Sequence, residues 1–209
     1  MQLSKVTSWG LILGGLLGLV GFIVIGVALG LMEDDIAAAD ELKAFQDNKE
    51  IVGVMLLVFV GIFTYMAKSL LQVAQAVKVP DEWYTYMRML VLIMLTSLFV
   101  SMASWMAISD KVTLDSYVVL EHVGDAVDAV QIITGSFALI ILSVFALKNG
   151  AGNQIFRGLI AILGVLSVLD IVTLLGGMDT DGDVGFITWI LWSAVLVGIG
   201  VLGLTTKEA

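Results

Sequence analysis

An all-α bundle of six membrane-spanning helices, with both chain ends on the cytoplasmic side, is the architecture this sequence predicts. Composition, the lengths of the apolar stretches and the placement of basic residues converge on it. The 209 residues are 59% hydrophobic and 14% charged, against roughly half apolar and a quarter charged in soluble domains. Apolar stretches run over 9–32, 51–77, 89–108, 126–147, 158–177 and 184–204, and about 20 such residues cross ~30 Å of hydrocarbon. They use most of the chain, so 1–209 is expected to form a single integral membrane domain.

Orientation comes from lysine and arginine, because short loops rich in them stay in the cytoplasm while acidic residues count for little. Lys5, Lys68, Lys78, Arg88, Lys148, Arg157 and Lys207 fall on one side of the six-helix plan; Lys43, Lys49 and Lys111 fall on the other. Seven of ten basic residues therefore mark the inner side. The outer side also takes most of the carboxylates, including Asp40, Glu41, Asp115, Glu121, Asp125 and Asp181. The plasma or inner membrane is the expected location.

The first stretch stays apolar from Leu11 to Met32, longer than the 7–15 residues of a signal-peptide core, so it reads as a retained helix. Its Gly10, Gly14 and Gly18 repeat every four residues, a spacing that lets another helix approach closely. Gly198, Gly200 and Gly203 in the sixth stretch are the natural internal partner. Between the first two stretches, Ala38, Leu42 and Phe45 have helical spacing, but a solvated acidic loop is the favoured reading there. The second stretch carries Thr64, Lys68, Gln72 and Gln75 toward the inner end. Before the third, Asp81 to Arg88 forms an amphipathic segment that sets Trp83, Tyr84 and Tyr86 at the inner headgroups.

Polar residues recur on the later stretches. The third has Ser97, Ser101 and Ser104, and the fourth has Glu121, Asp125, Asp128, Gln131 and Gly135, at steps of three or four that put each set on one helix face. The fifth contains Asp170 with apolar sequence on both sides and Ser167 and Thr173 three residues away. A charged carboxylate at mid-helix costs ~2.5–3.5 kcal/mol on insertion scales, so such a group faces protein or water and often marks an ion path. Asp170, Ser167, Thr173, Asp128, Gln131 and Asp125 are thus the candidate cation or proton route. The competing reading is a carboxyl group that merely ties two helices together, with Asp128, Gln131, Ser101 or Ser104 across the interface.

Other chemistries are undersupplied. There is no cysteine and one histidine, His122, which leaves thiolate, zinc and haem sites without their ligands. Ser136 has His122 about four turns away on the same helix, and Asp125 lies shallower than Asp170, which speaks against a serine nucleophile and an aspartyl dyad. Asp179, Asp181 and Asp183 alternate as a calcium loop begins, but the glycine is misplaced and Ile190 stands where a closing glutamate is required. The chain is therefore expected to be no enzyme, to carry no cofactor or metal, and to bind no nucleic acid. Its expected partners are the bilayer and other membrane subunits, in a homo- or hetero-oligomer. The leading expectation is a non-enzymatic subunit acting by helix packing; the alternative is a small cation or proton channel or transporter using Asp170.

Overall fold

The structure, a computed structural model, describes residues 2–30, 36–176 and 183–205. These form α1 Lys5–Leu29, α2 Ala38–Asp47, α3 Lys49–Ala76, α4 Asp81–Met106, α5 Leu114–Lys148, α6 Gln154–Leu175 and α7 Asp183–Thr205, with no strand among them. All but α2 are long and apolar enough to cross a membrane. The six-helix bundle is thus present.

Helix ends follow from local chemistry. The Ser4 hydroxyl accepts from the Thr7 amide at 3.0 Å to open α1, which closes on Gly30 at φ 71°, a left-handed turn that a residue without Cβ adopts freely. Thr113 and Asn153 likewise cap α5 and α6 through the amides of Ser116 and Phe156. Acidic Asp40 and Glu41, Asp81 and Glu82, and Asp115 stand in the first turns of α2, α4 and α5, where the helix dipole favours negative charge.

Three boundaries differ from the hydropathy reading. The segment 33–50 is not a plain acidic loop over its described part: α2 forms and buries Leu42 and Phe45. The aromatic segment before the third stretch belongs to α4 itself, and Trp83 and Tyr86 lie exposed on its first two turns. Most consequentially, α5 starts at Leu114, twelve residues before the apolar stretch at 126–147. Its outer turns pack against α2 and α4 through Tyr117 and Gly124, both buried, so tertiary contact extends a helix that hydropathy ends.

The spanning helices pack as a ring. α1 lies between α3 and α7, α5 lies between α4 and α6, and the two triplets meet along α3/α4 and α6/α7. Small residues set the closeness of α1. A Cβ on Gly14 would stand 2.5 Å from Met66 Cγ on α3, and one on Gly15 would stand 2.7 Å from the Ser193 carbonyl oxygen on α7. Gly10 meets Ser69 and Gly18 meets Phe63, also on α3. The expected pairing of these glycines with those of the last helix is therefore corrected. Gly10, Gly14 and Gly18 receive α3, whereas Gly200 and Gly203 receive Ser8 from a different side of α1, and Gly198 receives Leu159 of α6.

Polar ties join the hairpins at both ends. Outside, Gln46 Nε2 donates to the carbonyls of Ser109 and Val112, and Lys49 pairs with Asp110 at 3.1 Å. Inside, Asn149 Nδ2 donates to the carbonyls of Val77 and Lys78, binding the α5–α6 turn to the α3–α4 turn.

Candidate functional site

Asp170 sits on the face of α6 that carries Phe156, Ile160, Leu163 and Ser167, all buried. Its spacing from them, three or four residues at each step, aims the carboxyl into the bundle rather than at lipid. Ser136 of α5 donates its hydroxyl to Asp170 Oδ2 at 3.4 Å, a long hydrogen bond. Asp170 itself is partly exposed, whereas Ser136 is 4% exposed.

Depth follows from the antiparallel register of α5 and α6. Gly164 lies against Ser143, and Asp170 is bonded to Ser136. Each step outward on α6 thus matches a step back on α5, which makes Leu175 level with Gln131. Asp170 is five residues, ~8 Å of rise, below the outer end of α6. Asp125 is eleven residues, ~16 Å, above the level of Ser136, too far to share a proton with Asp170.

The other residues of the expected route separate into local partners. Ser167 is fully buried and donates to the Leu163 carbonyl, and Thr173 donates to the carbonyls of Leu169 and Asp170; both stay within α6. On α4, Ser104 donates to the Ser101 carbonyl. Gln131 has its Oε1 buried without a hydrogen-bond partner. Asp128 and Asp125 lie farther out, and Asp125 is exposed beside His122 at 4.0 Å. Inward of Ser143 on α5 and of Ser167 on α6, Ala146, Ile160 and Leu163 are apolar and each at 0% exposure.

Beyond the outer end of α6 an acidic crevice of about 180 Å³ opens between α2, α4 and α5. Glu41, Glu121, Asp125 and Asp128 line it over an aromatic floor of Phe45 and Trp105, whose rings are 5.5 Å apart. Burial pushes the Glu41 carboxyl above its usual range; the hydrogen bond from the Tyr117 hydroxyl opposes this, and the Glu121 charge adds to it. Among the described residues no three His, Asp or Glu side chains converge as a metal ion requires. Asp179 and Asp181 of the alternating acidic turn lie outside the described residues, and the side chain of Asp183 is likewise undescribed.

Two members of these sites, Ser136 as a hydrogen-bond partner and Tyr117, are not legible in the sequence. Pairing Ser136 with Asp170 requires the register of two helices. Tyr117 meets Glu41 only because α2 forms and α5 reaches back to Leu114. No family model matches the chain, and comparison with curated proteins and with solved structures returns no match.

Proposed function

We propose that this protein is a non-enzymatic subunit of the plasma or inner membrane, acting by helix packing within a larger membrane complex. One observation carries the reading. The polar groups around Asp170 on α5 and α6 extend inward only to Ser143 and Ser167, beyond which Ala146 of α5 and Ile160 and Leu163 of α6 are apolar and fully buried. A hydrogen-bonded carboxyl in such a place serves to hold two helices in register. Meanwhile each spanning helix keeps an apolar outward face, with Leu57 of α3, Phe137 of α5 and Val165 of α6 among the exposed side chains. Those faces are available to lipid and to partner helices alike.

The test is extraction of the tagged protein from its native membrane in a mild detergent, followed by size measurement with and without a harsh detergent. A stable larger species that dissociates in the harsh detergent supports the proposal. A chain that travels alone in both overturns it.

A cation or proton carrier using Asp170 is the second reading. It is favoured by one specific feature: Asp170 faces the bundle, partly exposed, below an acidic outer crevice. In reconstituted vesicles, flux that is lost on Asp170→Asn would establish it, and background flux from both forms would remove it.

A further inference from the structure

At the inner end of the bundle, the chain before α1, the start of α6 and the last turns of α7 enclose a cavity of about 290 Å³. That is far more than the ~10–15 Å³ a single water needs. Leu3, Phe156, Ile199 and Leu202 make most of its wall apolar, and Asn153 and Gly203 line it as well.

Hydrogen-bond donors without acceptors converge on this cavity. Asn153 gives its side-chain oxygen to the Phe156 amide at 2.8 Å. The amides of Gln154 and Ile155 then stand at the open end of α6, beyond the reach of any carbonyl of their own helix. Ser8 of α1 is 0% exposed, and its hydroxyl is buried without a hydrogen-bond partner. A side chain at Gly203 would strike that hydroxyl, so it lies directly against the glycine that lines the cavity. A buried hydroxyl in this state is a donor that a bound acceptor satisfies.

The local charge has the matching sign. In a chain of net charge -9, the described stretches around the cavity, 2–8, 148–160 and 198–205, hold Lys5, Lys148 and Arg157 and no acidic residue. Lys5 precedes Ser8 by three residues and Ile12 by seven, which puts it on the face of α1 that meets Gly200 and Gly203 of α7. Arg157 is one turn from Asn153 on α6.

We propose that this cavity holds the headgroup phosphate of an anionic phospholipid, with the glycerol and upper acyl carbons against its apolar wall. The α6 amides donate to the phosphate, as at other helix N-termini; the Ser8 hydroxyl supplies a further donor, and Lys5 and Arg157 balance the charge. Depth selects a lipid over a soluble anion. α1 and α6 begin and α7 ends at this level, which is that of the headgroups, and basic pockets between spanning helices on the cytoplasmic side suit anionic lipids. The inference does not depend on the subunit reading.

For the test, the full chain in a neutral detergent is titrated with dioleoyl phosphatidylglycerol, dioleoyl phosphatidylcholine or inorganic phosphate while its melting temperature is followed. Phosphatidylglycerol alone is expected to raise it, by ~5–10 °C at ~100-fold above half-saturation. Lys5→Gln with Arg157→Gln should raise the half-saturating concentration about thirtyfold, the combined attraction of two basic residues for an anionic surface. Arg88→Gln, at an exposed basic residue of α4 on the same side, should leave it unchanged. Ser8→Ala should raise it about fivefold or more, with a lipid-free melting temperature equal to the parent's or higher, because the parent hydroxyl has no partner to lose. An equal rise with phosphatidylcholine would assign the effect to acyl chains, and an equal rise with inorganic phosphate would assign it to a soluble anion; either overturns the lipid site. No rise with phosphatidylglycerol, or a half-saturation that the double substitution or Ser8→Ala leaves unchanged, overturns it too.

Discussion

A carboxyl group inside a bilayer is tolerated only where something receives it, and here that is the Ser136 hydroxyl. Replacement by asparagine keeps an acceptor oxygen of similar shape. Asp170→Asn should therefore leave the melting temperature in detergent within about 1 °C of the parent, a shift corresponding to well under 1 kcal/mol for a chain of this size. Asp170→Leu removes the acceptor and strands a Ser136 hydroxyl that is 4% exposed. An unsatisfied buried hydroxyl costs ~1–3 kcal/mol, so this variant should melt clearly lower. Equal melting of the leucine variant and the parent would show that the 3.4 Å contact contributes nothing.

Glycines and a surface helix decide matters at the level of elements. A Cβ on Gly200 would lie 2.6 Å from the Ser8 carbonyl oxygen, a backbone atom that cannot rotate away, whereas Gly53 and Gly61 have open space. Gly200→Ala is expected to cost ~1–3 kcal/mol, the usual penalty of overpacking, with Gly53→Ala and Gly61→Ala near neutral. Thermal unfolding of the three variants checks this, and a neutral Gly200→Ala would mean that α1 and α7 separate easily. Attachment of α2 is expected to depend on pH. The Glu41 carboxyl is raised in the folded state by burial first and by the Glu121 charge, against the Tyr117 hydrogen bond. A carboxyl raised on folding binds more protons folded than unfolded, so its contribution is full below the unfolded value and lost as pH rises through the folded one. Hydrogen exchange of α2, corrected for the intrinsic rate, should be slower at pH 5 than at pH 7.5. Glu41→Gln should remove the difference; persistence of the difference would show that Glu41 is not its source.

Across the whole molecule, the alternation of basic residues and the ring of six helices make one statement about sidedness. Single cysteines at Asp40 and Asp115 should label from outside, and one at Lys148 only from the cytoplasm. The cysteine-free background makes the readout clean. Labelling of the position 115 variant from the cytoplasm alone would invert the topology and place the projecting end of α5 inside. The two triplets also suggest where the bundle is weakest. Asn149, which ties the α5–α6 turn to the α3–α4 turn, is expected to matter more than its exposed position implies, and Asn149→Ala should lower the melting temperature by ~2–4 °C per kcal/mol lost.

Hydropathy determined the number of spanning helices and the acidic character of one face, and it marked Asp170 as an intramembrane carboxyl needing a protein partner. These are one-dimensional properties: transfer from water to lipid acts on each stretch almost independently of the others. The sequence also showed that Gly10, Gly14 and Gly18 want a neighbour, but only the tertiary structure chose α3 over α7. Pairing depends on which faces meet, and several small-residue faces compete. Tertiary contact likewise made α2 a helix and extended α5 through the mixed polar and apolar residues 114–125, because burial of Tyr117, Phe45 and Gly124 outweighs the weak local signal. Ser136 became the partner of Asp170 for the same reason, since an antiparallel register fixes which residues share a depth, and no periodicity within a single helix contains it.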